Sequence, residues 1–155
     1  MVLDLTKAFD LVNHSLLLTK LKLYNFSITS VQWFASYIRN RSQKVCVSGQ
    51  LSSAQEILAG VPQGSVLGPI LFILYINDLP LHIKNASLDM FADDTTISAN
   101  GSSVQEVHNS LQSELNTVNN WCLQNSMVPN LDKTKIMYIS ASYNNKQIST
   151  QKEAN

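Results

Sequence analysis

Two adjacent carboxylates, Asp93 and Asp94, stand between two short stretches of strand-like composition, residues 88–91 and 95–98. A tight turn between those stretches predicts a hairpin with both acids near its tip. Read alone, a double aspartate in a turn is a solvated turn, because aspartate favours turns by bonding to its own backbone. A third acid changes that reading. Asp4 also follows a short apolar stretch, Met1-Val2-Leu3, with the look of a strand, and it precedes a helix start at Thr6-Lys7-Ala8-Phe9. Neighbouring strands lie about 4.8 Å apart, so carboxylates at the ends of two such strands can meet around a pair of divalent cations. With no Lys or Arg nearby, three converging carboxylates repel one another unless cations are present. Magnesium suits such a place, since it takes hard oxygen ligands and is held by carboxylates together with substrate phosphates. Manganese is the alternative occupant.

The remaining pattern places helices around that sheet. Leu16, Leu17, Lys20, Leu21 and Leu23 predict one amphipathic helix, and residues 31–38 a second with Trp33, Phe34, Tyr37 and Ile38 on or near its inner face. Residues 43–48 alternate polar with apolar, and Gly49-Gln50 leads into a second extended stretch ending near Leu58, which is a hairpin pattern. Ser65 is placed to cap a helix carrying the apolar run 66–76, with Pro69 tolerated in its first turn and Asn77-Asp78-Leu79-Pro80 stopping it. Val104, Val107, Leu111, Leu115, Val118 and Cys122 keep a helical step behind a capping box at Ser103-Val104-Gln105-Glu106. Residues 135–139 read as a last strand. The sum is an α+β domain over residues 1–140, an antiparallel sheet carrying the aspartates with helices packed on one face, followed by a polar, disordered tail over 141–155.

Hydrophobic residues make up 45% of the 155 and charged ones only 14%, which excludes a disordered chain and allows a core. The 11 basic and 11 acidic residues cancel, but they are segregated. Lys20, Lys22, Arg39, Arg41 and Lys44 stand between positions 11 and 55 without an acid, whereas Asp78, Asp89, Asp93, Asp94, Glu106 and Glu114 face Lys84 alone between 78 and 114. The basic stretch is interleaved with Tyr24, Phe26, Trp33, Phe34 and Tyr37, which suits contact with nucleic-acid phosphates and bases. Taken alone it reads rather as solvated helix faces with aromatics in the core, since aromatics at helical spacing are usually core. Cys46 and Cys122, 76 positions apart with no hydrophobic leader, predict no disulfide-linked partner and an intracellular setting. The longest apolar run, 11 residues, falls far short of the ~20 that cross a bilayer, so no membrane partner is expected.

Four segments then follow in order: Leu3-Asp4-Leu5-Thr6-Lys7-Ala8-Phe9-Asp10, Gly60-Val61-Pro62-Gln63-Gly64-Ser65-Val66-Leu67-Gly68-Pro69, Phe91-Ala92-Asp93-Asp94, and Asn130-Leu131-Asp132-Lys133-Thr134-Lys135. They closely resemble four successive motifs of reverse transcriptases, specifically those of non-LTR (LINE-type) retrotransposons. The resemblance runs from about residue 2 to residue 140. It implies the palm of a right-hand polymerase and the activity of an RNA-directed DNA polymerase, a nucleotidyltransferase using two Mg2+ ions. Its partners would be an RNA template, a DNA primer and a dNTP, and its location the nucleus or cytoplasm.

By that resemblance Asp4 and Asp93 correspond to the metal-binding aspartates and Asp94 to the third acid of the site. Phe9 corresponds to an aromatic gate that crowds a ribose 2′-hydroxyl, Gln63 to a residue contacting the incoming nucleotide, and Lys133 to a lysine near the triphosphate. Gly60, Pro62 and Gly64 would shape a loop whose backbone approaches the nucleotide. The family often has an aspartate where this chain has Asn13, a change read as lying outside the chemistry. The family's enzymes also have fingers before the first aspartate and a thumb after the last motif. With 3 residues before Asp4 and about 15 after the last strand, neither is expected here, and the isolated chain is expected to polymerise weakly or not at all. Two alternatives stay open. One is an RNA-dependent RNA polymerase palm, whose corresponding segment also has two aspartates a few residues apart, as Asp4 and Asp10 are; Phe9 and Pro62-Gln63-Gly64 favour DNA synthesis instead. The other is a non-catalytic relic or nucleic-acid-binding module using only the basic face of residues 20 to 44.

Overall fold

A computed structural model describes residues 1–139, so the expected tail over 141–155 lies outside the described residues. In chain order the elements are β1 (Val2–Leu3), α1 (His14–Leu23), α2 (Ile28–Ile38), β2 (Arg41–Gln43), β3 (Cys46–Val47), β4 (Gln50–Leu51), β5 (Gln55–Ile57), α3 (Leu67–Ile76), β6 (Ser87–Phe91), β7 (Asp94–Ser98) and α4 (Val104–Gln124). Short 3-10 turns cover Ala8–Asp10 and Leu79–His82. The chain divides into two compact units. One joins Met1–Thr6 to the chain from Asp78 onward, and the other is Lys7–Asn77.

The first unit is built on an antiparallel sheet of strand order β1-β7-β6. Strand alternation gives it one buried face, with Leu3, Thr95 and Ile97 inward and Val2, Asp94 and Thr96 outward. β6 and β7 are joined by the two-residue turn Ala92-Asp93, so the hairpin carries its acids at and beside the tip as the residue pattern predicts. The expected last strand is reduced to one antiparallel bridge, Val2 to Lys135, and residues 136–139 add no ladder.

Helix α4 forms where the apolar spacing puts it, but its buried stripe starts later. Leu111, Glu114, Val118, Trp121 and Cys122 are buried, while Val104 is exposed. Ser103 Oγ accepts from Glu106 N at 3.2 Å, the first arm of the capping box. The second arm lands one residue early, because the Glu106 carboxylate accepts from the hydroxyl and backbone N–H of Ser102 at 2.7 and 2.8 Å. Those bonds, the hydroxyl first, hold the Glu106 carboxyl below the usual range. Glu114, counted with the acidic segment above, is not a surface charge. It is 2% exposed and accepts from Asn85 N at 2.7 Å and Lys84 N at 3.4 Å, tying that loop to the helix.

In the second unit α1 packs against both α2 and α3. Asn13 starts α1: its side-chain oxygen accepts from Ser15 N and Leu16 N at 3.0 and 3.1 Å, which satisfies two orphan donors of the first turn. Leu17, Leu18 and Leu21 fill the inner face, but Leu23 is exposed. Lys20 is buried with them, contrary to its place in an exposed basic face. Its ammonium donates to Tyr75 O at 2.7 Å and lies 4.9 Å from the centre of that ring. In α2 Val31 and Ile38 are buried, whereas Trp33, expected on the inner face, is 53% exposed. Ser65 stands one residue before the N-cap Val66, not at it, and from there accepts from Gly68 N at 3.0 Å, bonding the first turn of the apolar helix. The extended region forms two nested hairpins, β2 with β5 and β3 with β4, the inner one closing through Ser48-Gly49 with positive φ at both residues.

Replacing Glu114 with alanine leaves two backbone donors without their acceptor and is expected to destabilise the fold by about 2 kcal/mol. A lowered urea midpoint with an unchanged slope would report it, and an unmoved midpoint would contradict it. The thiols give a second check. Burial pushes Cys122 up to about 12, while Cys46 is exposed. A thiol reagent at about pH 8 should therefore titrate Cys46 quickly and Cys122 only after unfolding, and a fast thiol surviving in Cys46→Ser would refute the assignment. Because the folded Cys122 ionises above its ordinary 9.0, its contribution to stability is intact below 9.0 and is lost as the pH climbs toward about 12.

Candidate active site

The placement of Asp4 begins with β1, which is bonded along both edges. On one edge Val2 and Leu3 oppose Thr96 and Thr95 of β7. On the other, Val2 N donates to Lys135 O at 2.8 Å, Lys135 N to Val2 O at 3.0 Å, Asn130 N to Asp4 O at 2.8 Å, and Thr6 N to Val128 O at 2.8 Å. Continuing the β1–β7 register by one residue sets Asp4 opposite Asp94, which in turn faces Phe91 on β6. Asp4 and Asp94 belong to the outward-facing set of their strands, and Asp93 sits one position further on, in the turn. The residue pattern anticipated acids at neighbouring strand ends, and the register supplies the neighbours.

Lys133 belongs to the same unit. Its turn is fixed by Lys133 N donating to Asn130 O at 3.2 Å and by Thr134 Oγ1 donating to the same carbonyl at 2.8 Å. The ammonium lies 3.7 Å from Asp4 Oδ2, so Asp4 has a nearby cation, contrary to the expectation of carboxylates with no Lys or Arg beside them. With side chains 70% and 27% exposed, that ion pair is worth about 0–1 kcal/mol and breaks readily. Among the described residues, no three His, Cys, Asp or Glu side chains gather closely enough to hold a metal ion. The donor chemistry nonetheless fits a hard divalent cation: the groups are carboxylates, with Asp4 directly after β1 and Asp94 opening the neighbouring strand β7.

Phe9, Gln63 and Gly64 lie in the other unit. Phe9 stacks on Phe72 of α3 with ring centres 4.4 Å apart and planes 27° apart. The loop that carries Gln63 is bound to the segment that carries Phe9: Val61 N donates to Phe9 O at 2.9 Å and Gly60 N to Val12 O at 2.8 Å. His14, buried, sits with Nε2 2.8 Å from Gly60 O. Since a carbonyl only accepts, this ring nitrogen must carry the proton. Gly60 has φ +88, and a Cβ there would lie 2.9 Å from Asp10 O, so its glycine serves this close backbone approach. Gly64, at φ +73, has nothing within 4 Å of the corresponding point and leaves open space beside Gln63.

Gln63 Nε2 donates to Asp10 Oδ1 at 2.7 Å. A carboxylate only accepts, so the amide nitrogen of Gln63 must face it and the amide oxygen is turned elsewhere. Asp10 and His14 were not anticipated as loop-fixing residues. Asp10 stands next to Phe9 in the same motif, but no local periodicity pairs positions 53 apart.

A family model described as reverse transcriptase (RNA-dependent DNA polymerase) matches residues 1–154. The chain is 36% identical over 127 residues to the RNA-directed DNA polymerase from mobile element jockey of Drosophila melanogaster, covering 77% of this chain and 14% of that protein. It is 34% identical over 139 residues to the probable RNA-directed DNA polymerase from transposon BS of the same fly, covering 85% and 15%. A third relative, the probable RNA-directed DNA polymerase from transposon X-element, is 38% identical over 100 residues, covering 61% and 11%. The chain thus spans about one-seventh of the length of the first two of these curated relatives. With the order of its motifs and a match along nearly its whole length, the chain belongs to the reverse transcriptase family, in the non-LTR retrotransposon group.

Proposed function

We propose that this chain carries the catalytic acids of an RNA-directed DNA polymerase palm, transferring nucleotides from dNTPs to the 3′-hydroxyl of a DNA primer on an RNA template. The observation that supports this is the strand order β1-β7-β6, whose register sets Asp4 beside Asp94 at the hairpin whose turn contains Asp93. Asp4, Asp93 and Asp94 would hold two Mg2+ ions, or Mn2+ in their place. Such ions, when bound, acidify the attacking hydroxyl and neutralise charge on the leaving pyrophosphate.

The chain's own groups do the rest by position. Lys133 reduces the repulsion around Asp4, and because that pair is weak its ammonium is free to turn toward a triphosphate. Phe9, held against Phe72, is a rigid wall rather than a swinging ring, and a ribose 2′-hydroxyl placed over it would collide. Gln63 presents its amide oxygen as an acceptor for a sugar hydroxyl, beside the space that Gly64 leaves open. The site of action would be the nucleus or cytoplasm.

Mn2+ titration followed by electron paramagnetic resonance tests the acids directly. Asp4→Asn and Asp93→Asn are each expected to weaken binding at least ~10-fold, the loss that even outer-shell changes produce. Unchanged affinity in both variants would sink the assignment. In primer extension on an RNA template, the 155-residue chain is expected to extend weakly. Asp93→Asn should abolish what extension there is, and Phe9→Val should raise ribonucleotide relative to deoxynucleotide incorporation by about tenfold, the scale of one lost steric contact in a pocket. Equal sugar discrimination in Phe9→Val would remove Phe9 from the proposed gate.

A further inference from the structure

We propose that the row formed by exposed Trp33, half-buried Tyr37 and exposed Arg41 binds single-stranded nucleic acid, with a base stacked on Trp33 and the flanking phosphates met by Arg39 and Arg41. Trp33 and Tyr37 are four residues apart on α2 and so share one face of the helix. Their rings are parallel within 6° with centres 5.6 Å apart, an offset stack. Phe34 meets Trp33 edge-on at 5.2 Å and 81°, and Phe26 meets Phe34 in the same manner at 6.0 Å. The indole is therefore pinned by two neighbours, yet it remains 53% exposed. A ring already fixed loses little freedom when a base settles on it.

The row continues in charge. The Arg41 guanidinium lies 6.0 Å from the centre of the Tyr37 ring, and Arg39 follows directly on α2. Lys22 and Lys44 are exposed as well, and no acid occurs between positions 11 and 55. The nearest acid in sequence on this hairpin is Glu56. It opposes Ser42, whereas Arg41 opposes Ile57, so strand alternation puts Glu56 on the other side of the hairpin from Arg41. An aromatic face among cations suits a polyanion that has planar groups free to stack. A single strand offers both, while a duplex keeps its base faces covered. This inference uses none of Asp4, Asp93 or Asp94 and stands apart from the catalytic reading.

The test is fluorescence anisotropy of the full chain with labelled oligo(U) and oligo(dT) of about a dozen nucleotides, within the usual footprint of such surfaces. Trp33→Leu keeps apolar bulk but loses the stacking face, and it should weaken binding about tenfold, while Trp33→Phe keeps most of it. Arg41→Ala should lower the slope of log affinity against log salt by about one. Asp4→Asn and Asp93→Asn should bind as the parent does, so loss of catalysis and loss of this surface are separately readable. Equal affinity for both oligonucleotides would assign recognition to faces and phosphates, and tighter binding of oligo(U) would assign RNA as the ligand. Parent-like affinity in Trp33→Leu, with its urea midpoint also unchanged, would overturn the proposal. So would self-association that Trp33→Leu abolishes and oligonucleotide does not displace, since the row would then be a protein contact.

Discussion

The first unit depends on the register of a strand only two residues long. β1 gains little from its own length, since each net backbone hydrogen bond contributes only about 1 kcal/mol. It is held because both edges are bonded, to β7 on one side and to residues 128–135 on the other. Alternation then makes the register hard to change. Met1, Leu3 and Leu5 point inward and are buried, while Val2 and Asp4 do not. A slip of one residue would expose Leu3, now 1% exposed, and turn the Asp4 carboxylate into apolar surroundings. The hydrophobic demand of three residues thus sets where the acid faces.

The same burial logic revises the charge pattern along the chain. Lys20 and Glu114 belong to the basic and acidic segments by sequence, but both are core groups with backbone partners. Asp78 accepts from Trp121 Nε1 at 3.2 Å, which gives it a structural duty too. Removing these leaves a more local asymmetry. Exposed cations gather at the end of α2 and on the hairpin after it, and the acids of the β6–β7 hairpin keep the outward face of their sheet. Segregation of charge survives, but at the scale of single elements.

Much of this fold was legible because it is local. The step of apolar residues located α4, Ser65 located the start of α3, and the strand-like stretches around Asp93-Asp94 located their hairpin. What escaped depends on tertiary approach. Nothing in the local pattern joins Gln63 to Asp10 or His14 to Gly60, and nothing there brings Lys133 to Asp4. Trp33 escaped for another reason: its helical spacing is that of an inward residue, yet the inner face of α2 is supplied by Val31 and Ile38. Residues 135–139 have strand-like composition, but only Lys135 finds a partner strand position. The four motifs were the clearest signal of function, because their order is a property of the sequence itself.

Backbone conformation sharpens the distinction between residues that serve the local chain and those that do not. Among the described residues six non-glycines have positive φ. Asn25, Asn40 and Ser126 directly follow the end caps of α1, α2 and α4, where left-handed residues commonly close a helix, and Ser48 lies in a hairpin turn that requires it. Ala92 owes its positive φ to the two-residue β6–β7 turn, as Ser48 does to its own turn, and Lys7 has neither reason. Each holds a conformation that costs an L-residue about 1–2 kcal/mol and that glycine would relieve. Such strain persists where the surroundings over-determine it. Ala92 is clamped between strands paired at five positions, and the Lys7 carbonyl accepts from Asp10 N and Leu11 N at 2.9 and 3.1 Å. One bend comes directly before Asp93, and the other lies between Asp4 and Phe9. Of these six described residues, then, Lys7 is the one with neither a helix end nor a hairpin turn behind its positive φ, and it falls in the segment that carries both Asp4 and Phe9.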